Sequence, residues 1–309
     1  MNETEFNTLC TTENLKKYKN LSKNIYRETY RIEKNKESYI LKINSSKTNK
    51  EFELIKKTIQ TLNENNFQTP KLLFSTHQQN KSYFLFEDIT ETGDGRLGTG
   101  AVTTQASFGN RLSSIDKNQE QKRKIEDIIK ILEKFYKITE KIENNNKNEN
   151  QIITYIENNL ERFSFIHKNI LHKIINELKE INTNQNRLII TDINNTNFLE
   201  FKKKTYIIDF DEVCFCEIEY DIAQVFLNFI LNENPKNSLE QNISELKKII
   251  TEYNKISETS NLKIINYLII SMYHDIIKYD HHQEIQEQIF KKVIFILNNK
   301  ETILKHISA

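Results

Sequence analysis

Short runs of β-branched and aromatic residues dominate the first part of the chain. Asn24–Tyr30 and Ser38–Ile43 are two such runs, separated by the polar stretch Glu33–Glu37. Two apolar runs joined by a short polar turn are typical of a β-hairpin. We therefore predict two antiparallel strands here.

A change of hydrophobic period follows this hairpin. Lys50–Glu64 repeats apolar residues with the spacing of one helical face, at Phe52, Ile55, Ile59 and Leu62. Leu72–Phe74 and Ser82–Ile89 again resemble strands, and the second is apolar enough to be buried on both faces. The first third of the chain is thus predicted to be strand-rich with one helix.

Helical periodicity prevails after Asp116. The predicted helices are Lys124–Ile142, Ile152–Phe165, Ile170–Ile181, Asp221–Leu231, Leu239–Tyr253, Leu262–Lys278 and Glu284–Leu297. One segment, Arg187–Asp211, contains two strand-like runs, Leu188–Ile190 and Thr205–Ile208, which we expect to form a hairpin. A strand-rich part followed by a helical part predicts an α+β fold, with a hinge near Glu87–Glu91.

Composition and charge exclude several classes of protein. The chain has 309 residues, of which 37% are hydrophobic and 28% charged, with a net charge of +1. This balance supports a folded core and gives no electrostatic footprint for nucleic acid or an anionic membrane. The apolar stretch Ile264–Ile277 is too short and too polar to cross a bilayer. Three cysteines favour a reducing compartment, so we predict a cytoplasmic protein.

The five glycines all fall between Gly93 and Gly109. Gly93–Gly98 fits the pattern G-x-G-x-x-G of dinucleotide-binding proteins, but the following residues lack the helical pattern that a pyrophosphate site needs. We favour a flexible loop over a cofactor site, and we infer that roughly Thr92–Ser114 is an insertion. The predicted domains are residues 1–89, a hinge with a glycine-rich loop at 90–115, and a helical part at 116–309.

Acidic residues and an asparagine end the strand-like runs of the 187–211 segment. Asp192 follows the first run, Asn197 comes five residues later, and Asp209 and Asp211 follow the second run. Phosphoryl transfer requires oxygen ligands for metal ions and an acceptor that orients the attacking hydroxyl. This segment can supply both, although a solvated turn is the alternative for any one of these residues alone.

The spacing D-x-x-x-x-N, followed by I-I-D-F-D and E-Y-D-I-A, resembles the aminoglycoside phosphotransferase and choline kinase family. The resemblance extends from about Leu21 to Leu297. It implies a two-lobed protein-kinase-like fold, with a small antiparallel-sheet N-lobe and a mainly helical C-lobe. It also implies an ATP- and Mg²⁺-dependent enzyme that phosphorylates a hydroxyl of a small molecule.

The resemblance assigns roles to the acidic segment. It implies that Asp192 is the catalytic base, that Asn197 is a magnesium ligand and that Asp209 is the principal magnesium ligand. Asp211 matches an acidic position of the choline kinase branch and is assigned to metal or substrate. Asp221 precedes an apolar helical run, and we predict it to be a structural N-cap.

Matching positions also occur upstream. Lys42, in the run Tyr39–Ile43, resembles the lysine that contacts the α- and β-phosphates of ATP. Its implied partner is a glutamate on the next helix, Glu53 or, in another register, Glu51. The hinge that pairs with adenine corresponds to Phe86, Glu87 and Asp88.

Two departures keep a second hypothesis open. Ile190 and Thr191 stand where the family commonly has His and Gly, and no glycine occurs in the phosphate-covering loop between Asn20 and Tyr26. A pseudokinase that binds nucleotide without turnover is therefore the alternative to an enzyme.

Other candidate sites are weaker. Cys214 and Cys216 form C-x-C without a second pair, so strand packing is favoured over zinc. Metal binding by Asp275, Asp280, His281 and His282 is considered, with solvated side chains as the favoured alternative. We expect the acceptor pocket within Leu239–Leu297, where aromatic and acidic side chains suit a cationic acceptor. The residues considered are Tyr253, Tyr267, Tyr273, Tyr279, Asp275, Asp280 and Glu284, and core packing is the alternative for each tyrosine.

Overall fold

A computed structural model describes most of the chain. The described residues are 19–23, 27–34, 37–45, 47–89, 114–142, 150–181, 186–201, 204–279 and 282–308. The glycine segment predicted to be a loop lies outside them, as do Asp280 and His281. The chain divides into two compact units, one from residues 1–113 and 198–211, the other from 114–197 and 212–309.

The first unit contains a five-stranded antiparallel sheet. Its strands, in the spatial order β1-β2-β3-β5-β4, are β1 Lys19–Lys23, β2 Arg27–Lys34, β3 Glu37–Asn44, β5 Lys81–Glu87 and β4 Leu72–Gln78. The predicted hairpin is present as β2 and β3, with Ile32 opposite Tyr39. Alternate residues of the central strands, among them Ile32, Leu41 and Leu85, form one buried cluster. The period-2 pattern of these strands therefore supplies the core of the sheet.

Helix α1, Asn49–Glu64, occupies the segment in which helical periodicity predicts it. Its N-terminus is fixed by a capping box in which Thr48 and Glu51 satisfy each other's backbone N–H groups. The four apolar residues predicted to form one face are all buried. Local capping and the apolar face thus agree on the same helix.

A second hairpin belongs to the first unit although it comes late in the sequence. Strands β7, Phe198–Phe201, and β8, Lys204–Ile207, pair antiparallel. The N–H of Ile207 donates to the carbonyl of Gln68 at 3.0 Å. Asp209 and Asp211 therefore belong to the first unit. The predicted domains, with boundaries at residues 89 and 115, assign both residues to the helical C-terminal part instead.

The second unit is mainly helical. Its helices are α2 Ser114–Thr139, α3 Gln151–Glu157, α4 Phe165–Glu180, α5 Ile218–Phe226, α6 Leu239–Tyr253, α7 Asn261–Lys278 and α8 Gln283–Ile307. Helix α7 lies at the centre, is buried along almost its whole length, and packs against α4, α5 and α8. The antiparallel sheet of unit one and the helices of unit two make up the α+β, protein-kinase-like fold that the sequence predicts. No helix of the described residues is both long and apolar enough to cross a membrane.

Three local predictions are wrong. The helix predicted over Ile152–Phe165 ends at Glu157, because Asn158 caps it and a 3₁₀ turn follows at Leu160–Arg162. The strand β6, Arg187–Ile190, pairs with β9, Val213–Cys216, rather than forming a hairpin with β8.

The third correction concerns Asp221. It lies inside the first turn of α5, whose N-cap is Glu217. Its side chain is buried and accepts a hydrogen bond from the hydroxyl of Tyr136. Asp221 is therefore a buried carboxyl inside a helix rather than a cap.

Candidate active site

The loop that carries Asp192 is tied to the start of β9. Ile190, the last residue of β6, is opposite Val213. The N–H and the hydroxyl of the next residue, Thr191, both donate to the carbonyl of Glu212, at 2.8 and 2.9 Å. The backbone on the N-terminal side of Asp192 is therefore fixed by two hydrogen bonds.

Two asparagines hold Asp192 from the other side of the loop. The side-chain amide of Asn194 donates to Asp192 Oδ1 at 2.6 Å, and that of Asn197 donates to the Asp192 carbonyl at 2.8 Å. The carboxylate and the backbone of Asp192 are thus both held by hydrogen bonds from within the loop.

Asn197 is the second member of the D-x-x-x-x-N pattern, and it is only 7% exposed. It ends a single 3₁₀ turn, Asn195–Asn197. Because its amide nitrogen binds the Asp192 carbonyl, its amide oxygen is the atom that remains chemically suited to ligate a metal. The pattern thus closes into a compact loop within the second unit.

The first unit brings the predicted lysine and the predicted metal-binding aspartate together. Lys42 lies in the middle of β3, opposite Phe84 of β5, and Asp209 follows β8. Lys42 Nζ lies 2.9 Å from Asp209 Oδ1 and donates to the carbonyl of Ile208 at 3.0 Å. Their side chains are 16% and 24% exposed, so this ion pair is largely withdrawn from water.

Charges around this pair shift its pKa values. Burial favours neutral Lys42, but the charges of Asp209 and Asp211 outweigh it and raise the pKa of the ammonium. Burial likewise opposes ionisation of Asp209, yet Lys42 and Arg27 lower its pKa below the usual value. Asp211 is different, because burial and the nearby charge of Asp209 raise its pKa. Of the two carboxyl groups, Asp209 therefore ionises more readily.

The glutamates predicted to pair with Lys42 lie elsewhere in α1. Glu53 is 3.4 Å from Lys56 on the same helix, with 56% of its side chain exposed. Glu51 belongs to the capping box with Thr48. The ion partner of Lys42 in the structure is therefore Asp209, and an ATP-binding role for Glu53 stays a prediction.

The predicted adenine hinge lies at the end of β5. Phe86 is buried, and the N–H groups of Glu87 and Asp88 donate to the carbonyls of Lys71 and Ser38. The Asp88 carboxylate forms a buried ion pair with Arg31 at 2.8 Å. These bonds fix the backbone at the point where the sequence predicts adenine to bind, and the binding itself stays a prediction.

A charged cluster within the second unit interacts electrostatically with the predicted base. Lys278 Nζ lies 2.6 Å from Glu212 Oε2. Burial lowers the pKa of Lys278, but the charges of Glu212, Asp192 and Asp275 outweigh it and raise the pKa. Burial raises the pKa of Asp275 to about 6, and the charge of Lys278 limits that shift. Of these residues, the sequence singled out Asp192 and Asp275 but missed Glu212 and Lys278.

Most of the predicted acceptor aromatics are part of the core. Tyr253, Tyr267 and Tyr273 are fully buried, so the core-packing alternative holds for them, whereas Tyr279 is 42% exposed. Cys216 is buried in β9, in agreement with strand packing. Within the described ranges, no group of three or more histidine, cysteine or carboxylate side chains is placed to hold a metal ion.

Several solved structures with the same fold are small-molecule kinases. An amicoumacin kinase, in complex with AMP-PNP, Ca²⁺ and amicoumacin, superposes with a TM-score of 0.60 at 12% identity, covering 94% of this chain and 96% of that one. Choline kinase from Cryptosporidium parvum gives 0.60 at 12% identity, covering 93% and 90%. Ethanolamine kinase from Plasmodium vivax gives 0.54 at 14% identity, covering 94% and 85%. At these identities the likeness shows the fold.

A family model shows more than the fold. A search of curated proteins found no matching sequence. The family model of fructosamine kinase, however, matches residues 4–234, which include Lys42, the Asp192 loop and Asp209. This match spans most of the chain, and the chain therefore belongs to the fructosamine kinase family.

Proposed function

We propose that this protein transfers the γ-phosphoryl group of ATP to a hydroxyl group of a small molecule, with Mg²⁺ as cofactor. Its family and fold are those of small-molecule phosphotransferases. The observation that carries the proposal for this chain is the ion pair between Lys42 and Asp209, which lie 2.9 Å apart although they come from distant parts of the sequence. A cation and an anion of this kind are the groups that a nucleotide triphosphate and its metal require.

Lys42 is proposed to bind the α- and β-phosphates. Its raised pKa keeps it charged throughout the physiological pH range, so it serves as a permanent counter-charge. The C-terminal end of β5, with Phe86, Glu87 and the following Asp88, is proposed to bind adenine. Its backbone is braced by the hydrogen bonds to Lys71 and Ser38, which suits a rigid binding edge.

Asp209 and Asn197 are the proposed magnesium ligands, with Asp211 near metal or substrate. Carboxylate and amide oxygens are the hard ligands that Mg²⁺ takes in proteins, and one or two carboxylates are usual because phosphates and water complete the coordination. The lowered pKa of Asp209 keeps it ionised and ready to ligate. When bound, the metal neutralises charge on the phosphates.

Asp192 is the proposed catalytic base. The acceptor oxygen forms a bond to the γ-phosphorus, the bond between that phosphorus and the β–γ bridging oxygen breaks, and the hydroxyl proton passes to Asp192 Oδ2. Asn194 holds the other carboxylate oxygen at 2.6 Å, and Thr191 fixes the backbone before it. The protein's contribution is thus positioning more than covalent chemistry.

The acceptor is proposed to carry a positive charge next to its hydroxyl. Three carboxylates, those of Asp192, Glu212 and Asp275, share this cluster with two ammonium groups, those of Lys278 and Lys292, which leaves one negative charge in excess (3 − 2) when all are ionised. An amine-bearing sugar fits this environment, and a fructosamine, the compound for which the family is named, is the first candidate. Choline, ethanolamine and aminoglycosides share the same combination of hydroxyl and cation.

Ile190 favours a second candidate, a pseudokinase. It is buried and apolar where the resembling kinases commonly have a histidine that orients the catalytic loop. Such a protein would bind nucleotide without consuming it.

The deciding experiment is magnesium-dependent ATP consumption with a panel of fructosamines, choline, ethanolamine and aminoglycosides. We expect one class of acceptor to be phosphorylated, and Asp192→Asn and Asp209→Asn each to abolish turnover. Nucleotide binding without consumption across the panel, with wild-type protein that is folded, would instead support the pseudokinase.

A further inference from the structure

The loop that follows Asp192 has an anchor outside itself. The side-chain amide nitrogen of Asn228 donates to the backbone carbonyl of Ile193 at 2.9 Å. Ile193 is the residue next to Asp192 and is fully buried. The proposed base therefore has, one residue away, a backbone atom that is held by a helix of the second unit.

Asn228 occupies an unusual backbone position. It lies in a π-helical turn, Leu227–Leu231, that directly extends α5. The N–H of Asn232 donates to the carbonyl of Leu227 at 2.9 Å, which is an i to i+5 hydrogen bond. Such turns are rare in soluble proteins and occur often at functional sites, where the additional residue redirects a side chain.

The orientation of the Asn228 amide is determined by its partners. Its nitrogen donates to Gln224 Oε1 at 2.9 Å as well as to Ile193, and its oxygen accepts from the amide of Asn232 at 3.1 Å. Turning the amide over would place its oxygen against two oxygens. The hydrogen-bond network thus selects the orientation that presents a donor to the loop.

Gln224 connects this amide to the buried core. It is 2% exposed and donates to the hydroxyls of Ser271 and Tyr220 at 2.5 and 3.1 Å. Ser271 belongs to α7, the central helix of the unit. A continuous polar chain therefore runs from the central helix through Gln224 and Asn228 to the carbonyl of Ile193. The side-chain amide nitrogens of Gln224 and Asn228 each donate to two partners, and a satisfied network of this kind is rigid.

We infer that Asn228, oriented by Gln224 and the π-helical turn, is a positioning residue that fixes the backbone of the Asp192 loop. Ile190 cannot orient this loop by hydrogen bonding, because its side chain is a buried hydrocarbon. The amide of Asn228 instead holds the loop on the C-terminal side of Asp192, through the carbonyl of Ile193. This inference rests on the proposed role of Asp192 as the base.

The test compares Asn228→Asp with the wild-type protein by hydrogen exchange. Aspartate has the same size, but its carboxylate cannot donate and would face the carbonyl of Ile193. The matched control is Asn299→Asp on α8, because Asn299 also donates from its amide to a backbone carbonyl, that of Phe295, at 2.8 Å. The amides to follow are those of residues 191–197, with the amides of α5 and α7 as internal references.

We expect Asn228→Asp to accelerate amide exchange at residues 191–197 by about ten-fold, with little change in α7. In Asn299→Asp, exchange at residues 191–197 should equal that of the wild type. For ATP consumption we expect kcat to fall about 100-fold while KM for ATP stays within about two-fold. Asn228→Gln, which keeps the donor, should recover part of the protection.

Unchanged exchange of the loop in Asn228→Asp would overturn the inference. So would acceleration spread equally over α5 and α7, because that result would make Asn228 a general packing residue. The exchange measurement needs no acceptor, and it decides the anchoring even if the wild-type protein consumes no ATP. Loss of the proposed function and loss of the proposed anchor are therefore distinguishable.

Discussion

Lys42 Nζ and Asp209 Oδ1 lie 2.9 Å apart. This ion pair joins the middle of strand β3 to the segment that directly follows strand β8. The pair is mostly buried, and such pairs are costly to break because one charge is left without its partner. The two residues come from distant parts of the sequence, and the β7–β8 hairpin brings the second into the sheet unit.

Replacing the lysine should weaken nucleotide binding. For Lys42→Met we expect KM for ATP to rise about ten-fold and kcat to fall about 100-fold, because the phosphates lose their counter-charge. We also expect the pKa of Asp209 to rise, since the Lys42 charge now lowers it. Steady-state ATP consumption and calorimetric titration with ATP measure the two effects.

Lys56→Met is the matched control, because Lys56 forms an exposed pair with Glu53 at 3.4 Å. It should leave KM for ATP unchanged. Equal effects of the two substitutions would refute a specific role for Lys42.

Asp192→Asn should separate binding from chemistry. The amide cannot accept the hydroxyl proton as a carboxylate does, so we expect kcat to fall at least about 100-fold while ATP affinity changes little. Single-turnover kinetics measure the chemical step, and titration with a fluorescent ATP analogue measures the nucleotide affinity.

The control for this change is Asp127→Asn, an exposed carboxylate on α2 that lies 3.5 Å from Lys130. It should retain wild-type turnover. Wild-type kcat in Asp192→Asn would exclude Asp192 as the base.

Asp275 should make acceptor affinity depend on pH. Its pKa is raised to about 6, first by burial, and the groups facing it are Lys278, Lys292, Asp192 and Glu212. Above pH 6 the carboxylate attracts a cationic acceptor, and below pH 6 protonation removes that attraction. We therefore expect KM for the acceptor to rise as the pH falls through about 6, with KM for ATP less affected.

In Asp275→Asn, KM for the acceptor should be raised about ten-fold at pH 7.5 and should no longer change near pH 6. Glu301→Gln, an exposed position of α8 outside the predicted acceptor segment, is the control with wild-type behaviour expected. A pH profile of KM that Asp275→Asn leaves intact would assign the titration to another group.

Asp221 should reduce stability as the pH rises. Burial raises its pKa to about 8, against the opposing effects of Tyr136 and Arg187, and its Oδ1 has no hydrogen-bond partner among the described residues. Between the unfolded pKa of about 4 and the folded pKa of about 8, the folded state holds a proton that the unfolded state releases. The free energy of unfolding should then fall with rising pH, by at most about 1.4 kcal/mol per pH unit from this group.

Asp221→Asn removes this titration. We expect the difference in Tm between the variant and the wild type to shift in favour of the variant from pH 5 to pH 8. Asp127→Asn serves again as the exposed control. Parallel stability curves for Asp221→Asn and the wild type would show that this carboxyl does not titrate as stated.

Local patterns made much of the fold predictable. The β2–β3 hairpin and helix α1 follow from alternation, a polar turn and a capping box, all of which act over a few neighbouring residues. The helices α6 and α7 lie within one residue of their predicted bounds for the same reason. Where local signals conflicted, as at Asn158 and at Glu217, the predicted helix boundaries were wrong.

Part of the candidate site was also predictable. The order of Lys42, Asp192, Asn197 and Asp209 along the chain matched a family pattern, and that pattern indicated the residues before any geometry was known. Lys278 and Asn228 were missed because each is a common polar residue outside the family pattern, and Glu212 was missed because, although it follows Asp211, it matches no position of that pattern. The nearest available hint was the spacing of Asp275 and Lys278, which lie on adjacent positions of one helical surface.

The sequence by itself determined the α+β class, most strands and helices, and the residue types available for phosphoryl transfer, because periodicity, capping and motif spacing are local properties. Only the tertiary structure decided that Lys42 pairs with Asp209 rather than Glu53, that β6 pairs with β9, and that Asn228 holds the carbonyl of Ile193. These relationships depend on which distant segments pack together. That choice is made by burial of the whole core, and no short stretch of sequence contains it.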